Sequence, residues 1–493
     1  MAQIPGLYGK LRVACRNDKL NSDRQYIPVD VVDEKITKDS IKAELGRKSK
    51  IPNWWWSCLA ARVEKNNVKR VFSVLVYVQK PSFVEKLLES GFTDEDLPLV
   101  KHREEMRSVH DPTRTFSIPK EWEDQTVDDF IKKQWMVLAP IFDTSGKHMV
   151  LDPLCPLPFS TMEEVVCSPR NLVYKAKVYP SHQEGFEVEA PSLQVALKEF
   201  KYKVDFEHER ENLNKIRGLK NNKHITQNFA TFSQGNKHYI IFPWAVGGDL
   251  DNFWKNGKSK SRTPRLALWC LRQMLGLTEA LLALHREIGG EDNCRHGDLK
   301  PGNILHFLTG EEGILKITDF GISRIHNNAT FQRMENPTTT RATTPSYEAP
   351  EAAPALSRKQ ARSRKYDIWS LGCIFLEFTI WHVCGWEVVQ SFNAARKSGS
   401  PGGENWAHFY QITNDTARVH PEVTRIIADL KGSTEIKATA LGEFVDLIEK
   451  SLLEVKVEDR IDSAQLSSRV RGIVEKAESD PVYLEANLEA PTS

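Results

Sequence analysis

The sequence predicts an α+β fold: a small antiparallel β-sheet and a helical lobe, preceded by a mainly helical N-terminal domain. Three observations predict it. Residues 20–145 contain several segments with helical spacing of apolar side chains. Between residues 159 and 242, short segments alternate apolar and polar side chains, as half-buried strands do. From residue 249 onward, long apolar segments favour buried helices.

Composition narrows the functional classes. The 493 residues allow two to three domains, and 67 basic against 66 acidic residues give a net charge of +1. We expect no nucleic-acid partner, because no strongly basic surface is predicted. We expect no membrane span, because no 18 consecutive residues are apolar. Residues 1–16 lack a signal-peptide pattern, and the eight cysteines form no CxxC pair. An intracellular protein, cytoplasmic or nuclear, is therefore expected.

The N-terminal third of the chain is predicted to form an accessory domain, residues 1–145. Residues 68–78 (VKRVFSVLVYV) are apolar enough for either a buried helix or a strand. The tryptophan triplet at 54–56 favours core anchoring over a ligand platform, since large aromatic residues usually fill cores. Four prolines within residues 140–158 predict a linker, assigned to 146–158, so that the accessory domain folds separately.

The rest of the chain predicts a domain at residues 159–478, followed by a loose tail at 479–493. Five segments with strand character are expected, with one helix, 204–216, between the third and the fourth. The strand segments are 164–166, 172–179, 193–201, 229–232 and 238–242.

The chemistry lies in residues 294–321, CRHGDLKPGNILHFLTGEEGILKITDFG. A loop, a strand, a turn, a second strand and another loop would bring Asp298, Lys300, Asn303 and Asp319 together. This combination suits phosphoryl transfer: one carboxylate orients a hydroxyl and one ammonium steadies the moving phosphoryl group, while an amide and a second carboxylate hold magnesium.

Residues 296–303 strongly resemble the catalytic loop of protein kinases, and residues 319–321 strongly resemble their metal loop. The resemblance covers residues 159–475, about two thirds of the chain. It implies that ATP and Mg²⁺ are the cofactors and that Asp298 is the catalytic base. It also implies that Lys300 is directed at the phosphate, and that Asn303 and Asp319 ligate the metal.

The same resemblance implies an ATP-binding set. The strand segment VALK places Ala196 and Lys198 at the nucleotide, with Lys198 on its phosphates. The segment YIIFPWAVGGDL resembles the hinge between kinase lobes. Pro243 and Ala245 would contact adenine through backbone groups, and Asp249 would face the ribose.

A glutamate should pair with Lys198 and orient it. Glu209 precedes Leu213 by four residues and Ile216 by seven, which places all three on one helix face. Glu207 and Glu211 lack this spacing, so Glu209 is the predicted partner.

The end of the predicted activation segment, TTPSYEAPE, also matches the family. Thr344 gives the serine/threonine pattern, and Glu351 is expected to form a buried pair with Arg460. Asp367, at the start of an apolar segment, resembles the aspartate that braces the catalytic loop.

Two departures from the family pattern affect the expected activity. The phosphate-covering loop has Val166, Ser168 and Asn171 where three glycines usually stand, so side chains should crowd the phosphate and weaken ATP binding. Gly297 replaces an arginine that commonly pairs with a phosphate on the activation segment. We therefore expect activity that does not depend on phosphorylation of this segment, and control by partners or by the N-terminal domain.

The resemblance implies a serine/threonine protein kinase that acts on protein hydroxyls, with a possible protein partner for the N-terminal domain. A pseudokinase scaffold is the first alternative, suggested by the missing glycines. The second is a small-molecule phosphotransferase of the aminoglycoside- or choline-kinase type, which shares Asp298 and Asn303 but usually lacks Lys300. The chain also resembles protein-kinase-like proteins of filamentous fungi.

Overall fold

The computed structural model confirms the α+β class. Two compact units share the chain: Met1–Lys203 with Asn228–Pro243, and Val204–Gln227 with Trp244–Ser493. The residues that the structure describes are 6–47, 52–186, 193–219, 222–257, 263–286, 293–320, 324–326, 345–353, 356, 363–397 and 406–484.

The N-terminal part of the first unit is mainly helical, as predicted, but it also contains short strands. Its helices are α1 (Leu7–Ala14), α2 (Val29–Lys35), α3 (Lys38–Gly46), α4 (Asn53–Lys65), α5 (Lys69–Tyr77), α6 (Val84–Glu89) and α7 (Asp124–Lys133). Its strands are the pair β1 (Arg16–Asn17) and β2 (Gln25–Tyr26), and an antiparallel sheet of β3 (Leu99–His102), β4 (Glu105–Ser108) and β5 (Thr115–Ser117).

These helices enclose their own apolar core. The ambiguous segment 68–78 is the helix α5, and every residue from Val71 to Val76 is buried, which explains why it lacks a polar face. Of the tryptophan triplet, Trp56 joins this core with 5% of its surface exposed, whereas Trp54 and Trp55 remain 67% and 38% exposed. The core-anchoring expectation is therefore correct for Trp56 alone.

A six-stranded sheet forms the rest of the first unit, in the order β7-β12-β13-β11-β9-β8. Adjacent strands are antiparallel except β7 and β12, which are parallel. A separate parallel pair joins β6 to β10. The strands are β6 (Phe142–Asp143), β7 (His148–Leu151), β8 (Phe159–Cys167), β9 (Asn171–Val178), β10 (Gln183–Glu184), β11 (Gln194–Phe200), β12 (Ala230–Gln234) and β13 (Lys237–Pro243).

The segment predicted as a linker, 146–158, therefore contains a strand of this sheet, because His148–Leu151 pairs with β12. Leu157, near the end of the same segment, is fully buried in the core of the sheet. Whether the accessory domain folds separately stays a prediction.

The two faces of the sheet differ. Val195 and Leu197 point into the apolar core of the sheet, together with Phe232 and Tyr239 from neighbouring strands. Because side chains alternate along a strand, Ala196 and Lys198 lie on the opposite face of β11.

The second unit is largely helical. Its helices are α8 (Lys203–Ile216), α9 (Leu250–Asn256), α10 (Pro264–Arg286), α11 (Lys365–Cys384), α12 (Trp386–Lys397), α13 (Pro421–Gly432), α14 (Ala440–Leu447), α15 (Ser463–Ser479) and α16 (Pro481–Leu484). Three antiparallel strand pairs accompany them: β14 (Asn293–Arg295) with β17 (Arg324–His326), β15 (Ile304–Phe307) with β16 (Ile314–Ile317), and β18 (Tyr410–Thr413) with β19 (Thr416–Val419). The predicted tail thus begins with the end of α15 and the short α16, and residues 485–493 lie outside the described residues.

The helices α10 and α11 are apolar and long enough to span a bilayer by length and composition. In the structure, 72% and 94% of their apolar segments are buried. Such burial is typical of core helices, which pass the same test of length and composition.

Candidate active site

The loop after β14 brings the three predicted catalytic residues together. The Lys300 ammonium lies 2.9 Å from Asp298 Oδ2. Asn303 Nδ2 donates to the same oxygen at 3.1 Å and to the backbone carbonyl of Asp298 at 2.8 Å. A short 3-10 turn, Pro301–Asn303, sets this spacing before β15 begins. The buried Asp298 carboxylate therefore contacts the Lys300 ammonium and the Asn303 amide, which follow it by two and five residues.

The predicted metal ligands are close in the chain fold as well. The N–H of Thr318, directly before Asp319, donates to the Asn303 carbonyl at 3.0 Å. Since Asn303 Nδ2 already donates twice, its Oδ1 is the atom suited to a cation, and Asp319 adds a carboxylate. Such oxygen donors fit Mg²⁺, which commonly binds one or two protein groups plus substrate phosphates. Among the described residues, no group of three or more His, Cys, Asp or Glu side chains is placed to hold a metal ion.

Asp367 braces the catalytic loop, as its position in the sequence predicts. Its side chain is fully buried and accepts the N–H groups of His296 at 2.8 Å and Gly297 at 2.9 Å, while His285 Nε2 lies 3.0 Å away. Burial alone would raise the pKa of Asp367, but the hydrogen bond and charge of His285, with Arg295 nearby, leave it below the usual value. A charged carboxylate therefore holds two consecutive amides of the loop.

Gly297 has a backbone conformation that explains its identity. Its φ is 82°, in the left-handed region where a Cβ atom is strained. The absence of a side chain lets this residue present its N–H to Asp367 without that cost.

The segment 345–353, which includes the end of the predicted activation segment, is anchored twice. Arg460 makes the predicted pair with Glu351 through two hydrogen bonds, at 3.0 and 3.2 Å, and the arginine side chain is fully buried. Tyr347 Oη donates to Glu377 at 2.8 Å, and Arg396 donates to the other oxygen of that carboxylate at 2.9 Å. Residues 327–344, which include Thr344, lie outside the described residues.

The predicted nucleotide-binding side chains lie on regular elements. Glu209 is buried on α8 with 2% exposed, whereas Glu207 and Glu211 are exposed, in agreement with the spacing argument. Lys198 is buried on β11, with its ammonium 5.1 Å from the ring centroid of Phe200, a cation–π distance. Pairing of Lys198 with Glu209 stays a prediction.

Comparison with known proteins identifies the family. The protein kinase domain family matches residues 188–469, more than half of the chain. The chain belongs to the protein kinase domain family. Its match includes the catalytic loop, the metal loop and both anchors of segment 345–353.

Individual relatives are similar over shorter stretches. The human serine/threonine-protein kinase Nek2 is 38% identical over 140 residues, 28% of this chain and 28% of the relative. The calcium/calmodulin-dependent protein kinase cmkA of Emericella nidulans is 32% identical over 177 residues, 35% of this chain and 36% of the relative. CBL-interacting protein kinase 11 of rice is 32% identical over 165 residues, 32% of this chain and 28% of the relative. The chain thus matches roughly a third or less of each of these proteins.

The predicted hinge of the kinase domain is divided between the two units, so its parts are described separately. Pro243 ends β13, opposite Val195 of β11. Ala245 is buried. Asp249 caps the N-terminus of α9 by accepting from the Asn252 N–H at 2.8 Å. Their predicted contacts with adenine and ribose stay predictions.

The predicted phosphate loop of the kinase domain is the hairpin between β8 and β9. The N–H of Ser168 donates to the Asn171 carbonyl, and the Ser168 hydroxyl accepts from the N–H groups of Arg170 and Asn171 at 3.3 and 2.9 Å. Lys201 further holds the Ser168 carbonyl at 2.7 Å. Three backbone N–H groups of the predicted phosphate loop are therefore used within the hairpin.

Sequence reasoning missed Asn212. Its Nδ2 donates to the carbonyl of Phe320, in the metal loop, at 2.7 Å. The available signal was a polar residue three positions after Glu209 on the buried face of α8, where an apolar side chain is the usual choice.

Proposed function

We propose that the chain is an ATP- and magnesium-dependent serine/threonine protein kinase. The observation that supports this most is the convergence of Lys300 and Asn303 on one carboxylate oxygen of Asp298, in a loop braced by Asp367. A substrate hydroxyl at Asp298 would give up its proton to that carboxylate. The neighbouring Lys300 ammonium would stabilise the charge on the transferred group.

Bound MgATP supplies the transferable phosphoryl group. Asn303 and Asp319 are the residues proposed to hold the metal, through oxygen atoms. Lys198 and Glu209 are proposed to hold and orient the nucleotide phosphates, as the family pattern implies. The serine/threonine preference rests on the named relatives and on Thr344. The N-terminal domain is proposed to bind a protein partner.

A pseudokinase scaffold is the second candidate, because one observation favours it. The hairpin at Ser168 uses its own N–H groups internally and lacks the glycines that permit close approach to phosphate. A phosphate could then be bound by fewer backbone donors. This reading predicts nucleotide binding with little or no transfer.

Asp298→Asn tests the proposed activity. The amide keeps the size of the side chain but removes the base, so transfer of radiolabelled phosphate from ATP to a generic basic protein should fall by about 10²- to 10⁴-fold. Nucleotide binding, measured by calorimetry, should change little. A variant that transfers phosphate at the wild-type rate would show that Asp298 has another role.

The same assay separates the alternatives. Wild-type protein that binds Mg-ADP but transfers nothing, to protein or to small molecules, would support the scaffold. Transfer to an aminoglycoside or to choline, but not to protein, would favour the small-molecule phosphotransferase and contradict a protein kinase.

A further inference from the structure

The buried face of α8 contains a polar side chain whose position needs an explanation. Phe206, Leu213 and Ile216 supply the apolar part of this face, and Asn212 lies among them. Asparagine is a poor helix former, because its side chain competes for backbone hydrogen bonds. A buried amide is also costly unless it is hydrogen-bonded. The cost of burying Asn212 in α8 must therefore be offset by a specific hydrogen-bond partner.

That partner is the metal loop. Asn212 Nδ2 donates to the Phe320 carbonyl at 2.7 Å, and this bond is buried. The residue before Phe320 is Asp319, which has a φ of 63°. A left-handed conformation is strained for a residue with a Cβ atom, and it persists where surrounding contacts hold it. The amide of Asn212 fixes the direction of the next carbonyl along the chain.

Phe320 is held from its other side by the catalytic loop. Its ring packs edge-to-face against His296, with centroids 5.4 Å apart. His296 Nε2 lies 2.9 Å from the Thr318 carbonyl, and the His296 N–H donates to Asp367. The metal loop is thus fastened to the catalytic loop through a ring and to α8 through a carbonyl.

We propose that Asn212 is a positioning residue that couples α8 to the metal loop. Its amide holds the Phe320 carbonyl and so keeps Asp319 in the conformation in which its carboxylate serves the magnesium ion. The side chain of Asn212 lies three residues from Glu209 on the same face of α8, so one helix positions both groups. This role rests on the proposed function, because it assumes that Asp319 ligates the metal.

The test measures Mg²⁺ dependence rather than activity alone. Asn212→Leu keeps a similar side-chain volume but removes the amide donor. Asn212→Ala also removes the donor, and alanine has a smaller side chain and a better helix propensity. Asn214→Leu is the matched control, because Asn214 is exposed on the same helix. ADP binding is titrated by calorimetry at increasing Mg²⁺ concentrations, and the stability of each variant is measured in parallel.

Both Asn212 variants should need about threefold to tenfold more Mg²⁺ for half-maximal ADP binding, as expected from the loss of one hydrogen bond. Asn214→Leu should match the wild type. A purely structural role would lower stability and leave the Mg²⁺ requirement unchanged. If Asn212→Leu does not fold, the result for Asn212→Ala decides.

Two results overturn the proposal in distinguishable ways. If the wild type binds Mg-ADP and the Asn212 variants show the same Mg²⁺ requirement, or Asn214→Leu shifts it equally, the positioning role is wrong while the proposed function stands. If the wild type binds no Mg-ADP at any Mg²⁺ concentration, the proposed function fails, and the role of Asn212 fails with it.

Discussion

Because Gly297 has no Cβ atom, the catalytic loop can adopt a left-handed backbone conformation at this residue. Its positive φ directs the N–H at Asp367, next to the N–H of His296 that the same carboxylate accepts. Many kinases place an arginine at this position and use it to receive a phosphate. Here the glycine provides the loop geometry without strain and without a charge. Activity that does not depend on phosphorylation of the activation segment stays a prediction.

Gly297→Ala should destabilise the protein by about 1–2 kcal/mol, the usual cost of a left-handed conformation for a residue with a Cβ atom. The free energy of unfolding, measured in urea, checks this. Gly472→Ala is the control: Gly472 lies in α15, with nothing within 4 Å of an added Cβ atom. That change should stabilise the helix by about 0.5–1 kcal/mol. Equal effects of the two substitutions would contradict the argument from φ.

At the scale of elements, the segment 345–353 depends on partners that are distant in sequence. Arg460 lies 109 residues beyond Glu351, and it also donates to the carbonyls of Glu454 and Lys365. One buried guanidinium therefore joins this segment to the start of α11 and to the loop before α15. Loss of the arginine would leave three acceptors without this donor.

Arg460→Ala should lower the free energy of unfolding by about 3–5 kcal/mol, because it leaves a partly buried carboxylate without its cation. Thermal melting in comparison with Arg425→Ala provides the measurement. Arg425 pairs with Glu422 and Asp429 on the surface of α13, where ion pairs contribute little. If both variants melt like the wild type, the buried pair does not stabilise the fold.

Several elements were predictable from local pattern alone. The helix with Glu209 on its buried face and the strand before Lys198 followed from periods of 3.6 and 2, which depend only on nearby residues. The catalytic loop was recognisable because its residue types and spacing are rarely found together by chance. The parallel strand His148–Leu151 was not predictable, since its partner lies 83 residues away and its own sequence is flanked by turn residues. The Asn212 contact was missed for the same reason, because Phe320 lies 108 residues further on.

At the scale of the whole molecule, polar contacts join the N-terminal part of the first unit to segments next to its sheet. His182 is fully buried, its Nε2 accepts from the Val29 N–H at 3.2 Å, and its Nδ1 lies 2.9 Å from the Pro140 carbonyl. This arrangement needs a neutral ring, protonated on Nδ1 only. Asp18 makes a second contact, since its buried carboxylate accepts from the Leu157 N–H at 3.0 Å.

We expect His182 to contribute a decrease in the stability of the first unit below about pH 6.5. Burial lowers the pKa of His182 below its usual 6.5, although the Pro140 carbonyl and Asp30 oppose this, and Arg70 adds to it. Between this lowered pKa and pH 6.5, the unfolded chain therefore binds a proton at His182, whereas the folded chain does not. This contribution is therefore complete above pH 6.5 and is lost as the pH falls toward the lowered pKa. The rings of Tyr26 and Tyr179 pack edge-to-face against the His182 ring.

His182→Gln provides the measurement for this expectation. The variant should be less stable than the wild type at pH 7 by about 1–3 kcal/mol, because buried hydrogen bonds are lost. This difference should shrink as the pH falls from about 6.5 to 5, because only the wild type loses the contribution of His182. His110→Gln, at an exposed position, should keep the wild-type profile. A His182→Gln profile parallel to the wild type would mean that another group causes the pH dependence.

The parallel strand β7 has a practical consequence for fragments of this protein. A fragment limited to residues 188–469 would begin after β7, β8 and β9, and would keep only β12, β13 and β11 of the six strands. Both outer strands of that remnant would then offer unpaired backbone groups, which favour association with other chains. Aggregation of such a fragment would reflect where it was cut, and a fragment that retains residues 142–187 would keep the edges of the sheet as they are in the full chain.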